Sequence, residues 1–149
     1  NVGSGTGVAI TGQTSADTFT NNNIGQLTPI TPSCGQALTT SAVLAGPLSC
    51  AGDGLTLAAN YIFLDCNGYN LTGIRNPTTL QLRGTGIKVQ GDNDLISNCG
   101  LRSFALGVDF DSNYDDVFGY NNLRGNAKGA NLTNDNYRRL SFLNVNWDP

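Results

Sequence analysis

The sequence predicts an all-β fold built from stacked coils, and three observations support this. First, it holds 19 Gly and 19 Asn among 149 residues, and both residue types suit tight corners. Second, only 13% of the residues are charged, against a usual share of about 25%, and no window shows the apolar spacing of an amphipathic helix. Third, short alternating strands recur after glycines at a regular spacing, which is the signature of a solenoid.

The repeat is read from four glycines that each precede a short alternating strand, as in Gly54-Leu55-Thr56-Leu57. The others are Gly86, Gly107 and Gly129, so the spacings are 32, 21 and 22 residues. A unit of this length holds three short strands and forms one coil. One coil cannot bury its apolar side alone, whereas stacked coils bury it against one another, about 4.8 Å apart. About five coils are expected over residues 34–149.

Inward-facing ladders follow from this alignment. The strands after the glycines predict two ladders: Leu55, Ile87, Val108 and Ala130; and Leu57, Val89, Phe110 and Leu132. A second apolar position about ten residues after each glycine predicts Leu64, Ile96, Val117 and Leu140. A third position predicts Leu71, Leu101 or Phe104, Leu123 and Val145.

Two segments stand outside the repeat. The 32-residue spacing equals one coil plus a loop of about 11 residues, assigned to 74–84 because Pro77 does not fit a central strand. Residues 1–33 are rich in Gly, Thr and Asn, and Pro29 and Pro32 mark their boundary with the solenoid. This extended N-terminal segment is expected to be a linker, a cap over the first coil, or a strand given to a neighbour.

The stretches LSCAGDGLTLAANYIFLDCNGYNLTG and TGIKVQGDNDLISNCGLRSFALGVDFDSN carry a family resemblance. They resemble the right-handed parallel β-helix repeats of the NosD-like and pectate-lyase-like superfamily, of the surface or secreted type. The LDCNG turn and the ISNCG start of a coil carry the likeness, which covers residues 34–149. It implies a right-handed parallel β-helix. That fold hosts lyases, hydrolases, adhesins and fibre proteins, so it implies little about function.

Four cysteines occur without a CxxC pair, and the chain has no His, which argues against a zinc site. Cys34 and Cys50 bracket the start of the first coil, and we expect them to be bonded. Cys66 and Cys99 occupy nearly equivalent positions in successive coils. The rung spacing there falls within the disulfide Cα range of about 4.4–6.8 Å, so a second disulfide and two stacked thiols both remain open. The even number of cysteines favours an oxidising, extracellular setting.

Composition also narrows the partners. The net charge is −3 and the sequence has no basic patch, so no nucleic acid partner is expected. No apolar run approaches the roughly 18 residues of a membrane span. The sequons at Asn70 and Asn131 are candidate glycosylation sites.

The acidic residues are the candidates for a catalytic or metal site. The resemblance implies carboxylates with basic residues, and often calcium, in the enzymes of this fold. His is absent, and Lys88 and Asp109 fall side by side on one ladder, where an outward ion pair is the simpler interpretation. We therefore expect no catalytic residue and no cofactor. Asp111, Asp115 and Asp116 are weak calcium candidates, and a solvated acidic corner is the alternative.

Two functions remain. The first is a non-enzymatic extracellular structural protein, a self-assembling fibre, sheath or surface-layer subunit that forms a head-to-tail homopolymer. In it, Val8 and Ile10 lie against an adjacent subunit by strand addition. The end of the solenoid supplies the edge through a set of four apolar residues: Leu140, Phe142, Val145 and Trp147. The alternative is a carbohydrate-binding or polysaccharide-processing module of a larger secreted protein. Its sugar contacts would come from Arg102, Arg138, Arg139 and exposed aromatic residues: Tyr61, Tyr69, Tyr114, Tyr120, Tyr137 and Trp147.

Overall fold

The computed structural model describes residues 27–111, 115–132 and 141–148, and every regular element among them is a β-strand. In chain order these strands are β1 (Thr28–Ile30), β2 (Gln36–Leu38), β3 (Ala42–Leu44), β4 (Leu48–Cys50), β5 (Leu55–Leu57), β6 (Phe63–Asp65), β7 (Asn70–Gly73), β8 (Arg83–Val89), β9 (Leu95–Ser97), β10 (Gly100–Arg102), β11 (Phe104–Phe110), β12 (Val117–Gly119), β13 (Asn122–Arg124), β14 (Lys128–Leu132), β15 (Ser141–Leu143) and β16 (Asn146–Asp148).

The strands form three parallel sheets whose neighbours come from successive turns of the chain. Sheet I has the order β1-β3-β6-β9-β12-β15, sheet II the order β16-β13-β10-β7-β4, and sheet III the order β14-β11-β8-β5-β2. The chain visits sheets I, II and III in rotation, so each visit to all three completes one coil. The predicted all-β solenoid of about five coils is confirmed.

The ladders of sheet III agree with the prediction from the glycine repeat. Ile87 lies opposite Leu55 in one neighbouring strand and opposite Val108 in the other, and all three are fully buried. The companion ladder also has the predicted register, and it ends at Leu132, which is 38% exposed because no further described strand covers it. The glycine spacing therefore fixes which side of these strands faces the core.

The ladders of sheets I and II require two corrections. Ile96 pairs with Phe118, and Val117 pairs with Leu95 instead, so the predicted inward position of Val117 is wrong. The turn after β11 is one residue longer than the turn after β8, which shifts the register of the following strand. In sheet II, Leu123 pairs with Trp147 and not with Val145.

Each corner uses backbone conformations that favour Asn and Gly. Before sheet I, the residues at equivalent positions of three coils have positive φ: Tyr61 (62°), Asn93 (61°) and Asp115 (58°). After sheet I, a second column has the same property: Asn98 (56°), Tyr120 (58°) and Asn144 (48°). Asn tolerates the left-handed region better than most residues, which accounts for Asn93, Asn98 and Asn144 at these corners.

The repeated glycines have a different cause, namely the close approach of successive coils. A Cβ built on Gly86 would lie 2.6 Å from the carbonyl oxygen of Gly107. A Cβ on Gly107 would in turn lie 2.7 Å from Cδ2 of Leu123 and close to the carbonyl oxygen of Gly129. The glycines that mark the repeat therefore form a column in which no side chain fits.

Two disulfides are present, and they are the two pairings considered from the sequence. Cys34 bonds to Cys50 with a Cα separation of 5.6 Å, and Cys66 bonds to Cys99 with 4.8 Å. The first ties the segment before β2 to β4, the edge strand of sheet II. The second joins successive coils at the corner after sheet I, and no cysteine is left free.

The predicted loop leaves the solenoid between β7 and β8. It closes on itself because the side chain of Asn76 accepts a hydrogen bond from the N–H of Thr78 at 2.9 Å, and its own N–H donates to the carbonyl of Gln81. At the N-terminal end, β1 pairs with β3 at the edge of sheet I. Pro29 fits there because an edge strand needs no donor on its outer side.

Candidate functional site at the last coil

The last coil of the solenoid presents three unpaired strand edges. β14, β15 and β16 each stand at the end of their sheet, with a parallel partner on one side only. Within the described part of the chain, no strand pairs with their outer edges. An unpaired row of backbone N–H and C=O groups is a template on which another strand can add.

These edges coincide with exposed apolar side chains. Half of the large hydrophobic residues that the described structure exposes lie in the last strands: Leu132 (38%), Phe142 (36%), Leu143 (38%) and Trp147 (49%). In the coil before, the ladder residue Phe118 is fully buried. Apolar side chains grouped at one end of a molecule, and not scattered over it, are typical of an interaction surface.

An aromatic cluster fixes this surface. The ring of Phe142 meets Phe110 and Phe118 edge to face, with centroids 6.0 and 5.9 Å apart. Trp147 lies 5.7 Å from Phe142, and its ring packs on the backbone of Gly129, where an added Cβ would be 2.7 Å from it. Edge-to-face pairs of this kind stabilise one arrangement of the rings.

The opposite end of the solenoid is different. Its edges are β1, β2 and β4; Leu38 of β2 and Leu48 of β4 are buried, and Ile30 of β1 is partly buried against the core. Pro29 removes a donor from β1, and the Cys34–Cys50 disulfide covers the edge of β4. No large exposed apolar residue occurs in the first coil as far as it is described. Among the described residues, the C-terminal end is therefore the one that is both unpaired and apolar.

The predicted assembly residues fall in different places. Phe142 and Trp147 are exposed on the last coil, whereas Val145 is partly buried and packs on the core. Val8, Ile10 and Leu140 lie outside the described residues. Leu143 is exposed in the same edge strand and follows Phe142, so it lies on the other side of that strand.

The calcium candidates do not gather into one centre. Asp111 is exposed, Asp115 is half-buried and Asp116 is buried. Across residues 27–111, 115–132 and 141–148, no group of three or more acidic or cysteine side chains is arranged to hold a metal ion.

Two buried carboxyls were not predicted from the sequence. Asp94 and Asp116 are 0% and 2% exposed. Burial, with a smaller contribution from neighbouring carboxylates, raises the pKa of each to about 7, although a backbone hydrogen bond to each carboxyl group acts in the opposite direction. Their separation of 22 residues equals one repeat, and this is the signal that could have identified them as a stacked pair.

The predicted ion pair between Lys88 and Asp109 is wrong. The two residues are opposite in register, as expected. However, Lys88 Nζ lies 2.7 Å from Oδ2 of Asp53, and Asp109 accepts a hydrogen bond from Asn131 instead. Burial alone would raise the pKa of Asp53, but hydrogen bonds from Lys88 and Thr85 and the Lys88 charge hold it below its usual value. The turn before β5 thus places Asp53 beside Lys88, a contact that the alignment of strands could not predict.

Both sequon asparagines lie in strands of the solenoid. Asn70 is half-buried in β7, and its side-chain oxygen lies against Gly100. The amide of Asn131 in β14 donates to Asp109 at 2.9 Å and accepts from Lys128 Nζ at 2.7 Å.

The residues considered for sugar binding are spread over the solenoid. Tyr61 and Tyr120 are 60% and 55% exposed, at different corners of the coil. Tyr69 packs on the core and Arg102 is exposed. The remaining candidates of this group lie outside the described residues: Tyr114, Tyr137, Arg138 and Arg139.

Comparison with family models, curated proteins and solved structures finds no match for the chain. Among the described residues, no helix is long and apolar enough to cross a membrane. Two disulfides indicate that the protein matures in an oxidising compartment.

Proposed function

We propose that this chain is the subunit of an extracellular structural assembly, a fibre, sheath or surface layer, in which the last coil of one copy binds a second copy. The observation that carries the proposal is that three strand edges, unpaired within the described residues, coincide at the C-terminal end with four exposed apolar side chains. The disulfides support an extracellular location.

The proposed occupant of this surface is the segment 1–26 of the second copy, with Val8 and Ile10 as its apolar contacts. Fully extended, 26 residues span at most about 86 Å, whereas five stacked coils are only about 24 Å thick. A segment that leaves the first coil of one copy easily reaches the last coil of its neighbour. Strand addition would pair its backbone, which offsets the entropy lost on ordering.

Such a contact joins different surfaces of the two copies and does not close on itself, so it produces a filament. The test is sedimentation velocity and negative-stain microscopy of the full chain beside a variant that lacks residues 1–26. The deletion stops before β1, so that Thr28–Ile30 can still pair in sheet I. We expect concentration-dependent filaments from the full chain and a folded monomer from the truncated one.

A point substitution provides a matched comparison. Leu143→Lys places a charge on the proposed surface and should abolish assembly, whereas Leu80→Lys alters a side chain that is 66% exposed on the distant loop and should leave assembly unchanged. A truncated chain that still polymerises, or a full chain that stays monomeric at high concentration, would overturn the proposal.

A carbohydrate-binding module is the second candidate function, and the exposed rings of Tyr61 and Tyr120 favour it. Rings on the surface can stack on sugars. Affinity electrophoresis in gels that contain pectin, alginate or cellulose derivatives tests this function. Retardation of the wild-type chain that disappears in Tyr61→Ala or Tyr120→Ala would support binding, and equal mobility in every gel would dismiss it.

A further inference from the structure

A column of two buried carboxyl groups joins three successive coils at the corner before sheet I. Oδ1 of Asp94 accepts the N–H of Ile62 in the preceding coil at 2.7 Å. Oδ1 of Asp116 accepts the N–H of Asp94 at 2.8 Å in the same way. Each carboxyl group therefore supplies an acceptor for a backbone N–H that would otherwise have none. The hydrogen bond also links its own coil to the preceding one.

The second oxygen of each carboxyl group has no such partner. Oδ2 of Asp94 and Oδ2 of Asp116 are buried and accept no hydrogen bond. Oδ2 of Asp94 packs against Gly91, where an added Cβ would lie 2.9 Å from it. A buried ionised oxygen without a donor is far more costly than a buried neutral carboxyl group, so the geometry favours the protonated form of both residues.

Among the described residues, the charged groups that act on the pair are also carboxylates. Asp92 acts on Asp94, and Asp92, Asp94 and Asp115 act on Asp116. The preceding coil contributes two backbone donors: the N–H of Ile62 to Asp94 and the N–H of Tyr61 to the carbonyl of Asp92. The one salt bridge between described residues, Lys88 with Asp53, involves neither member of the pair. Like charges nearby disfavour ionisation, as burial does.

We propose that Asp94 and Asp116 form a proton-operated lock on the C-terminal coils, closed when both carboxyl groups are protonated and loosened when they ionise. The location supports this role. The carbonyl of Asp116 accepts the N–H of Ser141, the first residue of the edge strand β15. A change in the position of this corner therefore also shifts β15, which carries Phe142. That such a shift alters assembly rests on the proposed function.

The direction of the pH effect follows from proton binding. The pKa of each carboxyl group is about 7 in the folded chain, against an ordinary value of 3.8. Between these values the folded state binds more protons than the unfolded state. The free energy of unfolding therefore falls as the pH rises through this window and levels off above it. The lock is closed in mildly acidic surroundings and open in alkaline ones.

The experiment uses the full chain and the double variant Asp94→Asn/Asp116→Asn, which keeps both Oδ1 acceptors and cannot ionise. Urea unfolding midpoints and hydrogen exchange of residues 141–148 are measured from pH 5 to pH 8. We expect the wild-type midpoint to fall across this range and the protection of the Ser141 amide to drop at least tenfold, after correction for the intrinsic exchange rate. The double variant should show neither change. Asp65→Asn, the same substitution at a half-buried corner carboxylate, should retain the wild-type profile.

Carboxyl carbon chemical shifts of the wild-type chain test the same claim without any substitution, even if the double variant does not fold. Titration of Asp94 and Asp116 near neutral pH is the expected result, and titration of both near pH 4 would overturn the lock. A wild-type midpoint that is constant from pH 5 to pH 8 would do so as well.

Pelleting of the full chain at pH 5.5 and pH 8 separates this inference from the proposed function. More assembly at pH 5.5 supports the lock. Equal assembly at both pH values, together with a constant unfolding midpoint, would contradict the lock and leave the proposed function supported. A pH-dependent midpoint in a chain that never assembles keeps the lock and rejects the proposed function.

Discussion

Replacing Phe118 with alanine is expected to destabilise the solenoid by about 3–5 kcal/mol, the usual cost of a cavity left by a buried Phe. Phe118 is fully buried, and its ring makes edge-to-face contacts with Phe110 and Phe142 at centroid distances of 5.8 and 5.9 Å. Each such contact contributes about 0.5–1.5 kcal/mol beyond the burial of area, which places the expected loss in the upper half of the range.

Urea unfolding followed by far-ultraviolet circular dichroism, with the disulfides oxidised and the protein dilute, measures this loss. Val117→Ala is the matched control. Val117 is half-buried and points away from the ladder, so its two lost methyl groups should cost less than about 1 kcal/mol. If Val117→Ala were as costly as Phe118→Ala, the register of sheet I described above would be wrong.

Two further predictions concern the coil contacts. Gly107→Ala should lower the free energy of unfolding by about 1–3 kcal/mol, because a Cβ there meets backbone and Leu123 of the next strands. Gly52→Ala, where nothing lies within 4 Å of the added Cβ, should be neutral or slightly stabilising. Equal effects of the two substitutions would argue against the glycine column. Replacing both Cys66 and Cys99 with serine should lower the free energy of unfolding by about 4 kcal/mol, since the bond closes a loop over 33 residues. An unchanged urea midpoint would show that the bond is absent or without effect.

The repeat predicts sheet III well because its strands follow the marker glycines at a constant distance. Ile87 and Val108 are placed correctly for that reason. Positions further along each coil depend on the length of the intervening turn, which varies. One extra residue after Phe110 moves the inward position from Val117 to Phe118, and the prediction fails there.

Contacts between side chains of different coils were harder to predict. The Cys66–Cys99 bond could be considered from the sequence because the two cysteines occupy corresponding corners of successive coils. Asp94 and Asp116 also correspond, but an acidic residue in a turn is usually solvated, and only the structure shows that these two are buried. The aromatic surface at the end of the solenoid depends on Trp147, which pairs with Leu123. The repeat spacing had predicted Val145 at that position of the ladder.

Mixed-isotope cross-linking tests the central claim most directly, namely that residues around Val8 and Ile10 of one copy lie on the last coil of another. The chain has only two lysines, Lys128 in the last coil and Lys88 two coils earlier along sheet III, so Ala9→Lys adds a single new reactive amine beside the proposed contact. Unlabelled and ¹⁵N-labelled Ala9→Lys chains are mixed, treated with a short amine cross-linker and digested. We expect peptides that join residue 9 of one isotope to Lys128 of the other, and few that join it to Lys88. Links between residue 9 and Lys128 found only within one isotope, or found equally at Lys88, would contradict it.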